Sequence, residues 1–327
     1  MKSETVVASP AVVAGPNELL LRVTGARLLC EGIREVTLAA VDGTALPSFA
    51  PGSHLAITWA VGERNSYSLT GPMVEPRHYS ISVRRDDAGR GGSAWVHAMD
   101  IDDVVVASRP RSAFAPVATA RHHVLVAGGI GVTPIVSHVR AAVHWRRSFE
   151  VIYVHRPGAD AHVDDLHALA GDRLTVLRSG SELLAHTRSR LSDAPLGSHL
   201  YTCGPQGLIE AVTSAAVAAG WPPRRVHSEP FASAAPATGA PFAARLGRSG
   251  ALVPVGASTS LLEALLARGI AVPNLCRQGV CGECKLTVRG GAIDHRDAYL
   301  TEDERAAGEV MMPCVSRAAG DRVELEL

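Results

Sequence analysis

Cys276, Cys281 and Cys284 stand at C-x4-C-x2-C in the last quarter of the chain, and Cys314 follows after a long gap. Thiolates are the soft ligands that iron–sulfur clusters and zinc take. This spacing is the plant-type arrangement for a 2Fe–2S cluster held by four of them. Gly279 and Gly282 let the loop turn, and their backbone N–H groups can approach the sulfurs, one way a protein sets a cluster's potential. The competing readings are structural zinc, a disulfide pair and buried thiols. Zinc sites pair their cysteines in two short knuckles, whereas here the first gap is four residues and Cys314 stands alone. Disulfides suit small secreted domains, and this chain has 327 residues. A cluster is therefore expected, with zinc the main alternative. Because it carries one electron at a time, the rest of the chain must bring it electrons.

Four other stretches have residue types that can do chemistry. Gly128, Gly129, Ile130 and Gly131 lead into Thr133 and Pro134. This is not G-x-G-x-x-G, but proline suits a first helical turn, and a helix N-terminus can meet a pyrophosphate. Cys203, Gly204 and Pro205 form a second turn. Gly91, Gly92 and Ser93 precede a short helical pattern and can offer N–H groups and a hydroxyl to a phosphate. In Asn65, Ser66, Tyr67, Ser68 and Leu69, the tyrosine can pack on a flat ring and the serines can hydrogen-bond it. The bland reading of each is an ordinary turn or strand.

The elements that must position these stretches change character along the chain. Residues 18–23, 35–40, 54–59, 78–84 and 103–107 read as short strands separated by Gly, Pro and Asp, the pattern of a barrel or sandwich. From 121 onward strands alternate with helices: strands at 122–127, 149–154, 173–177, 199–202 and 225–228, helices through 135–143, 161–170 and 206–219. That alternation predicts a doubly wound parallel sheet, whose ligands bind at the carboxyl ends of the strands, where both the glycine-rich turn and Cys203 fall. Residues 232–241, rich in Ala, Pro and Ser, read as a linker. Beyond it come a hairpin at 242–255, a capping box opening at Ser260 with Glu263, the cysteine loop, a strand at 285–288, a capped helix from Thr301 and a last strand at 323–327. One helix, several strands and a cysteine loop fit a small β-grasp domain.

Composition agrees with a multidomain globular chain. Thirty-two Lys and Arg balance thirty-two Asp and Glu. No basic block argues for nucleic acid, and no apolar run approaches the ~18 residues of a membrane span. Residues 1–16, broken by Glu4, Pro10 and Pro16, lack the pattern of a signal peptide. A soluble, monomeric cytoplasmic protein is expected, with Cys30 reduced.

Barrel, dinucleotide sheet and plant-type ferredoxin, in that order, resemble the phthalate dioxygenase reductase family, the FMN-containing reductases of oxygenase systems. The resemblance spans nearly the whole chain. It rests on the run Gly128 to Pro134, on Tyr201-Thr202-Cys203-Gly204-Pro205, on the cysteine motif with Asp294-His295-Arg296-Asp297 and Cys314-Val315-Ser316-Arg317, and on Gly89-Arg90-Gly91-Gly92-Ser93. It implies an antiparallel β-barrel flavin domain (1–116), an α/β doubly wound parallel-sheet NAD domain (117–231), the linker, and a C-terminal β-grasp (α+β) ferredoxin domain (242–327). FMN phosphate would lie at Gly91, Gly92 and Ser93, and its ring along Tyr67, Ser68 and Leu69 beside Ile81, Ser82 and Val83. The family's flavin motif is Arg-x-Tyr-Ser. Here Asn65 stands in the arginine's place, with Ser66 next and Arg64 one residue early; if Arg64 does not reach the phosphate, Arg84, Arg85 or Arg90 would meet its charge. FAD is the alternative to FMN.

The resemblance places NADH over Gly128, Gly129, Ile130, Gly131, Thr133 and Pro134 and at Gly204 and Pro205. The nicotinamide would sit near Cys203 and Phe231, with Cys203 and Glu229 assisting geometry and flavin electrostatics. His155 and Arg156 would flank the adenosine ribose, where Arg156 leaves NADPH open. It implies transfer from NADH through FMN and a 2Fe–2S cluster on Cys276, Cys281, Cys284 and Cys314 to a terminal oxygenase, Rieske-type or haem-thiolate, docking near Arg277, Gln278 and Glu283. A redox-sensing iron–sulfur flavoprotein without such a partner, or a reductase acting directly on a small molecule, are the other readings.

Overall fold

The computed structural model describes residues 15, 18–60, 63–89, 91–112, 114–231, 238–274, 277, 279, 282–297 and 299–327. Of the residues singled out above, Arg90, Cys276, Gln278, Cys281 and the linker stretch 232–237 lie outside them. Two compact units divide between Pro230 and Phe231.

The first unit opens with strands β1 (Glu18–Cys30), β2 (Ile33–Ala40), β3 (His54–Ala60), β4 (Glu63–Ser68) and β5 (Tyr79–Arg84), a short helix α1 (Gly92–His97), and β6 (Val104–Ser108). Alternate side chains such as Leu21, Val23, Val36 and Leu38 are fully buried in one core with Leu55, Ile57 and Ile81. That alternation is the half-buried strand pattern. The six strands run β4-β3-β6-β1-β2-β5. The two edge strands then meet at an isolated bridge between Leu69 and Ile81, and Thr70 N–H donates to Ser80 O at 2.9 Å. This bridge closes the barrel at a seam between β4 and β5.

The same unit continues with β7 (His122–Gly128), α2 (Val132–His144), β8 (Phe149–Val154), α3 (Val163–Ala170), β9 (Leu174–Leu177), α4 (Gly180–Asp193), β10 (Ser198–Gly204), α5 (Gln206–Ala218) and β11 (Val226–Pro230). All seven residues of β7 are buried, as befits a central parallel strand covered on both faces. The strand order is β11-β10-β7-β8-β9, every pair parallel. The order reverses between β7 and β10, the switch point where such sheets bind ligands. Helix α4 is absent from the sequence expectation, and β11 runs past Ser228 to include Glu229 and Pro230.

The second unit contains β12 (Phe242–Leu246), β13 (Leu252–Val255), α6 (Leu261–Leu266), β14 (Leu286–Gly290), β15 (Ile293–Asp294), α7 (Glu302–Ala307), β16 (Val310–Met311), β17 (Arg317–Ala318) and β18 (Arg322–Leu325). Its main sheet runs β13-β12-β18-β14-β16, with only β12 and β18 parallel. Leu261, Leu262 and Leu265 of α6 pack into its core, and both expected capping boxes, Ser260 with Glu263 and Thr301 with Glu304, are formed.

Candidate functional site

The barrel seam is the first site. Neighbouring residues of β4 face opposite sides of the sheet, and here that alternation separates Arg64 from Asn65. Arg64 pairs with Glu18. Asn65 Oδ1 accepts from Trp59 Nε1 at 3.3 Å and lies under the glycine loop. A Cβ at Gly92 would fall 2.5 Å from Asn65 Nδ2 and 2.9 Å from Trp59 Nε1. A larger residue at Gly92 would require the Asn65 and Trp59 side chains to shift. Ser93 Oγ closes the loop, accepting from Asp86 N at 3.0 Å and donating to Asp86 O at 3.2 Å. Arg85, one of the three cations considered for a phosphate, is paired with Asp87 at 2.7 Å. Ser66 Oγ is buried with no hydrogen-bond partner among the described residues. The close-approach glycine loop over Asn65 and Trp59, with the unsatisfied Ser66 hydroxyl on the other face of β4, supplies polar groups at the barrel seam for a ligand such as a flavin.

On the facing strand, Ile81 and Val83 are buried. Ser82 is turned the other way. Its hydroxyl lies 2.8 Å from His162 Nε2, and His162 Nδ1 lies 2.7 Å from Asp165 Oδ2. A carboxylate only accepts, so Nδ1 carries the proton and Ser82 donates to Nε2. Asp165 is held below the usual carboxylate range by that histidine hydrogen bond, with Arg140 adding to it. Arg140 is 3.8 Å from Asp165, and its Nε donates to Thr70 O at 2.8 Å. Ser82, His162, Asp165 and Arg140 thus bolt the barrel seam to α2 and α3. The sequence reading named only Ser82 of these. No local signal marks the others, because Ser82 and His162 are eighty residues apart.

The switch point is the second site. Ala127, Cys203 and Glu229 lie level on adjacent strands β7, β10 and β11. A Cβ at Gly131 would sit 2.4 Å from Cys203 O, and one at Gly128 would sit 2.7 Å from Leu208 Cδ1. The glycine-rich turn therefore packs directly on the end of β10, against Gly204 and Pro205, with Gly129 and Ile130 half-buried and the first turn of α2, Val132 to Ile135, buried. Ile130 O accepts from Thr133 Oγ1 at 3.1 Å, and Pro134 needs no N–H partner there. Cys203 is fully buried, and burial, with the Glu229 charge adding to it, pushes its thiol well up. It stays a thiol at neutral pH and is no nucleophile. Glu229 Oε2 is closed off from solvent with no partner among the described residues, and burial raises this carboxyl to about 8. His155 is buried at the end of β8 and hydrogen-bonds Arg156 O at 2.9 Å, with Arg156 exposed. Phe231 opens the second unit.

In the second unit, Cys284 and Cys314 bring their Sγ atoms within 3.4 Å. That is far beyond the ~2.05 Å of a disulfide and suits two thiolates sharing one metal. Both residues are buried. A Cβ at Gly279 would meet Val315 Cγ2 at 2.6 Å, and one at Gly282 would meet the Tyr299 ring at 2.2 Å. Gly279 thus lies against Val315 and Asp297, and Gly282 against Tyr299. Asp297 accepts from Tyr299 N at 3.2 Å, Leu300 N at 2.8 Å and Ser316 Oγ at 3.2 Å, tying those two segments together.

The comparisons with known proteins agree with this geometry. A family model described as "Dimethylamine monooxygenase subunit DmmA-like, N-terminal domain" matches residues 104–226, and one described as "2Fe-2S iron-sulfur cluster binding domain" matches residues 245–319. The chain is 43% identical over 309 residues to the heme-dependent oxidative N-demethylase beta subunit of Ectopseudomonas mendocina (strain ymp), covering 94% of this chain and 98% of that protein. It is 35% identical over 319 residues to phthalate dioxygenase reductase of Burkholderia cepacia, covering 94% and 97%. A solved structure titled as phthalate dioxygenase reductase, with electron transfer from pyridine nucleotides to a 2Fe–2S centre, superposes with a TM-score of 0.75 at 33% identity, covering 95% of this chain and 98% of that one.

Proposed function

The chain belongs to the phthalate dioxygenase reductase family, and from that premise we propose how its own residues carry out electron transfer. It is an oxidoreductase, the reductase component of an oxygenase system, and works with NADH, FMN and a 2Fe–2S cluster. When bound, the flavin and cluster together turn the two-electron delivery of NADH into single electrons for an acceptor. The protein's part is to bind, orient and insulate.

Gly91, Gly92 and the loop closed by Ser93 receive the flavin phosphate, and Asn65 donates its amide there in place of the family's arginine. Ser66, Tyr67, Ser68 and Leu69 line one side of the ring. Ile81 and Val83 line the other, with Ser82 contributing backbone alone. Gly128, Gly129, Ile130, Gly131, Thr133 and Pro134 receive the pyrophosphate of NADH. Cys203, Gly204 and Pro205 present the nicotinamide side, and His155 and Arg156 flank the adenosine ribose. Glu229, holding its proton at neutral pH, offers a neutral O–H beside the reacting rings, so no charge opposes the electrons as they arrive. Cys276, Cys281, Cys284 and Cys314 hold the cluster, and Arg277, Gln278 and Glu283 form the face on which a terminal oxygenase docks. Residues 1–116, 117–231 and 242–327 are the flavin, NAD and ferredoxin domains of this monomer.

The observation that carries the reading is the approach of Cys284 and Cys314 to 3.4 Å within a domain matched by a 2Fe–2S model. Elemental and flavin analysis of the purified protein tests it. One FMN with two irons and two sulfides per chain is expected; colourless protein carrying zinc would refute it.

A further inference from the structure

A cavity of about 390 Å³ lies in the first unit, toward the opposite end of β7 from the glycine-rich turn. Ala50 and Pro51 of the barrel, Pro116 and Val117 of the connector, Leu125 of β7 and Ala142 of α2 give it an apolar wall. It sits beside His123 and Leu125 of β7, whereas the glycine-rich turn leaves the strand at Gly128, about 17 Å and 10 Å from those two residues along the strand. Nothing in the electron path uses it.

Two features of the wall are not apolar. His123 and His138 both line the cavity, are 5% and 3% exposed, and each has a buried Nδ1 without a hydrogen-bond partner among the described residues. The tautomer of His138 follows from its surroundings. Its Nε2 lies 2.7 Å from Phe114 O, which only accepts, so Nε2 carries the proton and Nδ1 is a bare acceptor. Burial keeps both rings neutral, at about 4 for His123 and about 3 for His138. Unsatisfied polar atoms in a protein interior call for a donor from elsewhere. The other feature is the mouth. Trp145, 49% exposed, and the exposed Arg147 are the cavity's outward members, a flat ring beside a fixed cation.

We infer that this cavity binds a small, flat organic anion, with an O–H or N–H donor at its buried end and a carboxylate at the mouth. The donor satisfies a wall imidazole, the ring fills the apolar middle, and the carboxylate meets Arg147 beside Trp145 at the mouth. A hydroxyl-bearing aromatic acid has this chemistry, and the size is ordinary for a small-molecule site.

Isothermal titration of the full, FMN- and cluster-loaded chain with 4-hydroxybenzoate, benzoate and phenol tests the three contacts separately. One equivalent of 4-hydroxybenzoate binds, and benzoate, lacking the donor, and phenol, lacking the carboxylate, each bind at least tenfold more weakly. Arg147→Ala, a surface change that leaves the fold alone, makes 4-hydroxybenzoate bind no better than phenol. Ala142→Phe fills the cavity and abolishes binding, with an unchanged melting curve confirming that the variant is folded. Saturating NADH leaves the affinity unchanged. Absence of heat at millimolar 4-hydroxybenzoate would overturn the inference, since the cavity would then hold water alone. So would affinity untouched by Arg147→Ala, or displacement of the probe by NADH.

Discussion

On the proposed reading, Asn65 and Glu229 are the residues at which this chain's flavin chemistry is set most individually. Asn65 stands where the family motif carries arginine, and Arg64 is committed to Glu18. On the proposed reading the amide under Gly92 meets the phosphate, and Asn65→Ala should weaken FMN binding about tenfold or more, the scale of one lost hydrogen bond to a charged group. Fluorescence of released FMN during titration of the apoprotein measures this. Glu229 makes a prediction about pH. Its carboxyl rises from an ordinary 4.5 to about 8 through burial. Between those values the folded chain keeps a proton that the unfolded chain releases, so stability falls as pH rises through that window and stays low above it. Glu229→Gln removes the titration. The variant should lose less of its melting temperature between pH 5 and pH 8 than the parent chain, and melt a few degrees higher at pH 8; identical profiles would remove Glu229 from that role. The glycine turns and cysteines were legible in the sequence because their chemistry is local. The burial of Glu229 was not, since it depends on β10 and β11 lying side by side.

At the scale of elements, the glycine-rich turn packs on the end of β10, and on the proposed reading this contact sets where the nucleotide lies against the sheet. Gly131→Ala would drive a Cβ to 2.4 Å from Cys203 O, a backbone atom that cannot swing aside. We expect a loss of about 1–3 kcal/mol in stability and slow reduction by NADH, with reduction by dithionite unimpaired. Stopped-flow traces with the two reductants separate these effects. The capping box on α6 is a milder case: Ser260→Ala should cost about 1 kcal/mol, visible as a lower midpoint in denaturant unfolding. Most strands and the parallel order of the second sheet followed from period and turn signals. Helix α4 did not, although Ser179 and Glu182 carry a start signature and the Ser179 hydroxyl does accept from Glu182 N–H. Its polar face hid the pattern, with only Leu183, Thr187 and Leu191 buried. Closure of the barrel at Leu69 and Ile81 was equally illegible, because a single bridge between two sheet edges leaves no period in either strand.

For the whole molecule, the account is an ordered path in which the cysteine domain is the exit. Cys281→Ser should leave NADH-driven flavin reduction intact while reduction of cytochrome c collapses. Undiminished turnover would make the cluster a side branch. None of the helices among the described residues is long and apolar enough to cross a membrane. The acceptor's identity was never legible, since it is written in a different chain. The path itself is most directly tested by anaerobic titration of the purified protein with NADH, following the flavin and iron–sulfur absorption together. The account predicts that both chromophores bleach, with a 2Fe–2S electron-paramagnetic-resonance signal appearing as they do. Flavin that bleaches while the iron–sulfur absorption persists and no such signal forms would contradict it.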